Sequence, residues 1–269
     1  MKRFSGFLFL LAFLSGSSQK NIDALIKAEK DFAAYSVANG MKDAFLKYLD
    51  TSSVIFEKGK PVKGLETWNK REKVTGILNW HPVYGEIALS GDLGFTSGPW
   101  TFQPKTIKDS IVSRGCFNSV WHLDVNGKWK NIVDLGVSKT PADSRRILKM
   151  NVLKRGNSGT ENELLLAEET FEKEVATNIK FAYKNYLSHQ SILCRNGVLP
   201  AYDLNEQISI IEATPAGIEF INNGYGISGS GDLGYVYGTG ALNGKNFNFL
   251  RVWRKENSGW KLALEALPY

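Results

Sequence analysis

The string SGDLGFTSG at residues 90–98 returns as SGDLGYVYG at residues 230–238, 140 positions further along the chain. Each copy places Gly-Asp between two runs rich in β-branched and aromatic residues. Glycine accepts the positive φ of a tight turn, and an Asp side chain hydrogen-bonds to nearby backbone, so both strings predict a β-hairpin. The distance between them raises the question of how much else is repeated.

The repetition extends through both halves of the chain. LIKAEKDF (25–32) returns as LLLAEETF (164–171), AFLKYLDTSSVIF (44–56) as AYKNYLSHQSILC (182–194), and SVWHLDVNGKWK (119–130) as RVWRKENSGWK (251–261). In the first pair, apolar residues recur at i, i+3 and i+7, which indicates an amphipathic helix. We therefore expect two tandem domains, at residues 20–139 and 161–269, with the second divergent and a basic linker at 140–160.

Each half is predicted to contain two helices, a short strand, a third helix and four strands joined by hairpins. The third helices are predicted over residues 65–74 and 204–211. Helices followed by strands predict an α+β fold, in which helices cover one face of a curved antiparallel sheet. Asn-Gly pairs at 126–127 and 243–244 predict further hairpins. Within the linker, residues 147–153 are predicted to add a strand or a turn of helix where the halves meet.

The N-terminus has the features of a secretory signal peptide over residues 1–18. Lys2 and Arg3 precede an apolar run at 7–14, and small residues follow it. The run is too short to span a bilayer. We therefore expect a secreted or periplasmic protein that is cleaved after Ser18 and keeps no membrane segment.

The net charge of +6 does not indicate a nucleic-acid partner. Two of the positive charges lie in the predicted signal peptide and five in the predicted linker, so the folded parts are close to neutral. A nucleic-acid-binding domain needs a basic face of its own. We expect no nucleic-acid partner.

Cofactor, metal and disulfide signals are weak. Residues 229–234 match Gly-x-Gly-x-x-Gly, but a strand-like run follows where a dinucleotide site needs a helix. The three histidines lack metal-ligand spacing, so we expect no cofactor and no metal. Cys116 and Cys194 exclude a disulfide framework. We expect two buried thiols, although one cross-link between the halves would also suit an oxidising compartment.

Three segments of the first half resemble a known family: GKPVKGLETW (59–68), NWHPVYGEIALSGDLGFTSGPW (79–100) and GCFNSVWHLDVNGKWKNIVDLG (115–136). They resemble the SnoaL-like domains (domain of unknown function 4440) of the nuclear transport factor 2-like superfamily, and residues 160–269 do so more weakly. The resemblance implies a cone-shaped, cystatin-like domain with a pocket at its wide end. It also implies pairing through the outer face of the sheet, here as an intrachain pseudo-dimer. Because the superfamily includes binding proteins, ketosteroid isomerases and polyketide cyclases, fold does not decide function.

Candidate catalytic residues follow from the resemblance and from the strands. The isomerase relatives carry a general-base carboxylate at the end of the strand after the second helix, which implies Glu57, and an oxyanion-binding Tyr, which implies Tyr35. Their second oxyanion group has no acidic counterpart here, so we do not expect the isomerase reaction. His122 and Asp134 lie on neighbouring strands and would form a proton relay. Strict alternation of side chains along the strand instead places Asp134 on the face opposite to Trp129. If the face of Trp129 packs in the core, Asp134 points outward.

Tryptophans separate predicted core from predicted pocket. Trp121 and Trp129 of the first half recur as Trp253 and Trp260 of the second, and these are expected to fill the cores. Trp68, Trp80 and Trp100 occur only in the first half and are predicted to line its pocket with Tyr35. The first hypothesis is therefore a module that binds a small apolar or aromatic ligand in the first domain. The alternatives are an acid-base isomerase, cyclase or hydrolase that uses Glu57 or His122, and a structural or protein-interaction module.

Overall fold

The computed structural model describes residues 8–144, 148–152 and 158–269, and within these ranges it has a mixed α+β fold with six helices and curved sheets. The elements are α1 Leu8–Asn39, α2 Met41–Tyr48, β1 Leu49–Glu57, β2 Lys60–Lys63, α3 Gly64–Lys70, β3 Ile77–Trp80, β4 Tyr84–Ile87, β5 Leu93–Gln103, β6 Ser113–Leu123, β7 Trp129–Ser138, β8 Lys149–Val152, α4 Glu161–Thr177, α5 Ile179–Tyr186, β9 Leu187–Arg195, α6 Leu204–Ala213, β10 Glu219–Ile227, β11 Leu233–Leu242, β12 Lys245–Glu256 and β13 Gly259–Leu267. None of the described helices combines the length and apolarity of a membrane span.

The first half forms a sheet of eight strands in the order β2-β1-β7-β6-β5-β4-β8, and β3 also pairs with β5. The pairs β1 with β7 and β4 with β8 are parallel, and the other pairs are antiparallel. Leu25 and Phe32 lie on the predicted apolar stripe of α1 and are fully buried against Trp121 and other sheet residues. This helix-on-sheet packing makes the core of the first half.

The second half forms a sheet of five strands in the order β10-β11-β12-β13-β9, in which only β9 and β13 are parallel. Its first helix, α4, starts at a capping box in which Thr160 and Glu163 satisfy each other's backbone N–H groups. Leu164 and Phe171 are then buried under the sheet with Trp253. The element order matches that of the first half, except that the first half also has β2 and β8 and has the two short strands β3 and β4 where the second half has β10.

The third helices differ in length from the prediction. Helix α3 ends at Lys70, before the predicted end at residue 74, and α6 continues to Ala213. Trp68 is the last residue of α3 that packs into the core, and Val74 is 58% exposed. Short helices in proteins depend on a buried apolar face. Residues 71–75 lack that face, so the helix does not continue through them.

The predicted linker contains a strand. Lys149–Val152 pairs in parallel with β4, so this part of the predicted strand at 147–153 is present and belongs to the first sheet. The other basic residues of the linker, Arg145, Arg146, Lys154 and Arg155, lie outside the described residues. Residues 1–7 also lie outside them, and α1 runs past the predicted cleavage site at Ser18. The signal peptide and the domain boundaries remain predictions.

The faces of the two sheets that point away from the helices pack on each other. Val120 and Val133 of the first half share one buried cluster with Leu250 and Leu264 of the second. Cys116 and Cys194 lie in the same cluster as unpaired thiols, with 3.5 Å between their Sγ atoms. The expected burial of both thiols is confirmed.

A β-bulge changes the direction of the side chains along β7. Val120 pairs with Val133, but the next residue, Trp121, pairs with Asn131, so Ile132 is an extra residue in the ladder. After the bulge, Asp134 turns to the helix-covered face that Trp129 also occupies. The expectation that Asp134 points outward is therefore wrong, because a bulge breaks the alternation on which it rests.

Candidate functional site

The first half contains a cavity of about 200 Å³ between its helices and its sheet, which opens to solvent at the exposed Gly136. Most of its walls are aromatic rings from both layers. It is lined by Phe32, Phe45, Leu78, Trp80, Trp100, Phe117, Ser119, Asp134 and Gly136. Asp134 is the charged residue of this lining, so any ligand meets one carboxyl group inside an apolar shell.

Asp134 is held by its neighbour on the adjacent strand. The two residues are paired across β6 and β7, and Ser119 Oγ donates a hydrogen bond of 3.0 Å to Asp134 Oδ1. Burial raises the pKa of Asp134 to about 6, although the bond from Ser119 lowers it. A carboxyl group with this pKa exchanges protons near neutral pH.

A second carboxyl group, that of the fully buried Glu29 of α1, contacts the wall of the cavity. Trp80 Nε1 donates to Glu29 Oε1 at 2.5 Å, while Thr96 Oγ1 at 2.5 Å and Trp121 Nε1 at 2.9 Å donate to Oε2. Burial raises the pKa of Glu29 to about 7 despite these bonds, and the charge of Asp134 adds to the rise. The described hydrogen bonds to Glu29 thus come from neutral donors, which leave its charge uncompensated.

A protonated Glu29 satisfies this arrangement. Indole N–H groups only donate, so both tryptophans require a carboxyl oxygen as acceptor. The Thr96 hydroxyl can also accept, so it can take a hydrogen bond from the protonated Oε2 of the neutral acid. Neutral Glu29 can therefore keep all three partners without a buried charge.

The predicted pocket residues fall into two groups. Trp80 and Trp100 line the cavity, and Trp100 Nε1 donates to the Val137 carbonyl at 3.1 Å. Trp68 lies one layer behind, stacked on the cavity residue Phe45 with 4.2 Å between ring centroids. Tyr35 is outside the lining.

Tyr35 instead contacts neighbouring groups of the helices. Its ring lies 6.1 Å from that of Tyr48, and Lys47 Nζ lies 3.8 Å from its centroid. A lysine over an aromatic face is a cation–π contact. The described geometry therefore joins Tyr35 to α2 rather than to the cavity.

The predicted catalytic residues lie in three different places. Glu57 accepts hydrogen bonds from Arg71, whose Nε is 3.2 Å from Glu57 Oε1, and both side chains are partly exposed. His122 Nε2 lies 3.0 Å from Asp50 Oδ2. The strand register sets Asp134 opposite Ser119, three residues from His122. The structure thus brings neither Glu57 nor His122 together with Asp134.

The second half fills the corresponding space. Arg251 is paired with Glu265 across β12 and β13, as Ser119 is with Asp134, and its guanidinium is fully buried. Its Nε donates to Glu265 Oε2 at 2.8 Å, and its Nη1 donates to Glu168. Although burial alone raises the pKa of Glu265, Arg195 and Arg251 hold it at about 2. The charge of Glu265 is therefore compensated by arginine.

Glu29 was missed in the sequence, although a signal was present. The repeated helix reads AEKDF in the first half and AEETF in the second, so Glu29 and Glu168 share a position. That position is four residues after the buried Leu25 and three before Phe32, on the stripe that faces the core. A charged residue repeated on an apolar stripe indicates a buried polar site.

Metal-ion binding has no geometric basis in the part of the chain described here, where no three His, Cys, Asp or Glu side chains are grouped as ligands.

No protein-family model and no curated protein sequence matches the chain. Solved structures do resemble part of it. A de novo designed protein with a curved β-sheet is 22% identical, over 39% of this chain and 97% of that one, with a TM-score of 0.34. An NTF2-like protein from Cytophaga hutchinsonii is 14% identical, over 40% and 94%, with a TM-score of 0.33. A protein with a cystatin-like fold from Nostoc punctiforme is 16% identical, over 40% and 89%, with a TM-score of 0.32.

Proposed function

We propose that the first half of this chain binds a small aromatic or apolar ligand in its cavity, and that the second half is a structural partner. The observation that carries the proposal is the difference between the halves. The first half keeps a cavity of about 200 Å³, whereas Arg251 and Leu267 occupy the matching positions of the second half. An apolar cavity of about 150 Å³ takes up benzene. The ligand is therefore expected to be about one ring in size.

The proposal includes the organisation of the whole chain. The protein consists of two tandem SnoaL-like domains, at residues 20–139 and 161–269, that pair within the chain as a pseudo-dimer. It is exported by its N-terminal signal peptide and acts in the periplasm or outside the cell. The repeated sequence segments and the matched order of elements support the duplication. The signal-like composition of residues 1–18 supports export.

An acid-base enzyme is the second candidate, and Asp134 favours it. The pKa of this carboxyl is raised to about 6 by burial, which suits a general acid or base near neutral pH. Its place in the cavity wall would bring it within reach of a ligand. Glu57 and His122 contact Arg71 and Asp50 instead, so this candidate relies on Asp134.

Filling the cavity tests the proposal. Gly136 lines the cavity, and a Cβ added there would lie 3.5 Å from Trp100 Nε1, an ordinary contact. Gly136→Leu introduces the residue that the second half carries at this position, Leu267. The full chain and the variant are titrated by calorimetry with phenol, indole and benzyl alcohol, with progesterone as an oversized compound. Thr51→Leu, at an exposed position of β1, is the matched control.

We expect a one-ring compound to bind the native chain and the Thr51→Leu control, and to lose its binding in Gly136→Leu. Bound ligand also raises the melting temperature by mass action. Absence of binding by all the one-ring compounds, or equal binding by Gly136→Leu, would overturn the proposal. Conversion of a bound compound that Asp134→Asn stops without preventing binding would establish the second candidate.

A further inference from the structure

The two halves place the same chemical groups around one point of the fold. Trp121 donates to Glu29 in the first half, and Trp253 donates to Glu168 at 2.6 Å in the second. Each of these tryptophans lies next to a bulge, between β6 and β7 in the first half and between β12 and β13 in the second. This shared geometry equates three pairs of positions: Glu29 with Glu168, Ser119 with Arg251, and Asp134 with Glu265.

In the second half that point is occupied by a cation. The Arg251 guanidinium contacts Glu168 and Glu265, and a third carboxylate, Glu172, is 3.2 Å from Nη1. Three rings surround it: the distances from Arg251 Cζ to the centroids are 4.9 Å for Phe171, 4.2 Å for Phe220 and 4.6 Å for Phe249. Carboxylates and aromatic faces together make a site for a planar cation.

The first half keeps most of this site but not its arginine, and Ala33 stands where the second half has Glu172. Ser119 stands at the position of Arg251, and its short side chain leaves room for the cavity that it lines. Both carboxyl groups, Glu29 and Asp134, remain. Phe32, Trp80 and Phe117 stand at the positions of the three phenylalanines, and all three line the cavity.

We propose that the ligand of this cavity is an organic cation, a guanidinium or amidinium group on a body of about one ring, whose charged head takes the place that Arg251 occupies in the second half. The head would donate to Asp134, as Arg251 Nε does to Glu265, and stack between Phe32, Trp80 and Phe117. This inference rests on the proposed function and specifies its ligand class.

Charge accounts for the affinity that we expect. Asp134 on β7 lines this space beside the uncharged Ser119 on β6, and Glu29 on α1 is hydrogen-bonded to the cavity residue Trp80. Burial raises both pKa values, so each carboxylate is disfavoured without a counter-ion. A bound cation would compensate that charge, whereas a neutral ligand of the same shape would not.

Benzamidine and its neutral analogue benzamide distinguish charge from shape. Both are titrated calorimetrically into the full chain at pH 8. We expect benzamidine to bind at least tenfold more tightly than benzamide. Asp134→Asn is expected to lower benzamidine affinity at least tenfold and to change benzamide affinity less than twofold. Asp124→Asn removes the same charge from the exposed turn between β6 and β7, and is expected to leave benzamidine binding unchanged.

Ser119→Arg supplies the cation from within the chain and is expected to abolish binding of both compounds. If that variant does not fold, Gly136→Leu blocks the same space. Equal affinities for benzamidine and benzamide, or equal benzamidine binding by Asp134→Asn, would overturn the cation inference and leave the proposed function standing. Loss of all binding, including that of phenol, indole and benzyl alcohol to the native chain, would overturn both.

Discussion

Asp92 and Asp232 each accept a hydrogen bond from the turn of the opposite half. Gly229 N donates to Asp92 Oδ2 at 2.9 Å, and Leu89 N donates to Asp232 Oδ2 at 3.0 Å. This reciprocal exchange is the pattern of a contact about a twofold axis. The repeated string SGDLG therefore shapes two turns and also joins them, which gives each Asp a partner that its own half does not supply.

Removing one of these carboxylates is expected to weaken the joined turns. Asp232→Ala leaves Leu89 N without its acceptor and also removes the bonds from Ser228 and Ser230 within the turn. A buried donor that loses its partner costs about 1–3 kcal/mol, and the part-buried Leu89 N belongs in the lower part of that range. We expect the free energy of unfolding, measured by urea denaturation, to fall by that amount.

The double variant Asp92→Ala/Asp232→Ala isolates the contribution of the contact between the halves. Because the two residues belong to one network, their effects are expected to be non-additive. Asp124→Ala is the control for the loss of an aspartate that acts within a single turn. Asp124 accepts hydrogen bonds from Asn126 N and Lys128 N of its own turn. Strictly additive losses would show that the turns act separately.

A buried ion pair also joins the halves. Arg254 Nε of β12 donates to Glu86 Oε1 of β4 at 2.7 Å, and Nη2 donates to Oε2. Glu86 is fully buried. Glu86→Gln removes the buried carboxylate, so that Arg254 keeps the carboxylate of Glu256, which lies 3.5 Å from Nη1. Breaking a buried pair costs about 3–5 kcal/mol. Urea denaturation is expected to show that loss.

The exposed pair of Lys27 and Asp31 is the control for this prediction, because Asp31→Asn is expected to change the free energy of unfolding by less than about 1 kcal/mol. Similar losses in Glu86→Gln and Asp31→Asn would contradict the importance of burial at Arg254.

The thiols of Cys116 and Cys194 are expected to react only after unfolding. Both are fully buried between the sheets, with Sγ atoms 3.5 Å apart. The cysteine thiolate attacks the disulfide of Ellman's reagent and displaces its aromatic thiolate, so the reagent must reach the sulfur. We expect Ellman's reagent to label neither thiol of the reduced native chain and both in 6 M guanidinium chloride. Rapid labelling of the native chain would show that the sheets separate easily.

The sequence predicted the scaffold well because repeated patterns carry it. The apolar spacing from Leu25 to Phe32 and the Gly-Asp turns depend on local geometry, and both are read from neighbouring residues. The end of α3 was not predicted, because it depends on whether residues 71–75 find a surface to pack on. That packing is a tertiary property.

The site was harder to predict because its chemistry depends on two long-range features. The bulge at Ile132 turns Asp134 into the cavity, and no residue type marks it in the sequence. Glu29 is buried because Trp80, Thr96 and Trp121 meet it from three strands. Trp80 and Trp100 were predicted by comparing the halves. The same comparison at Glu29 and at Ser119 would have found the carboxyl groups and the missing arginine.

The buried carboxyl of Glu29 is expected to make the stability of the protein depend on pH. Its pKa is raised from 4.5 to about 7 in the folded chain, chiefly by burial. Between these values the folded state holds a proton that the unfolded state has lost, so stability falls as pH rises from about 4.5 to 7. The shift corresponds to about 3 kcal/mol.

Glu29→Gln tests this dependence because the variant cannot ionise at this position. Gln keeps the shape but meets donors on both sides, so relative to the protonated Glu29 it is expected to carry a cost in stability that does not itself depend on pH. The informative quantity is therefore the difference in free energy of unfolding between the two proteins at pH 4.5 and at pH 8. We expect that difference to move by about 3 kcal/mol in favour of the variant at pH 8. Asp134 is present in both proteins, so its own titration largely cancels. A difference that stays constant with pH would show that Glu29 ionises as freely in the folded chain as in the unfolded one, and that its burial is incomplete.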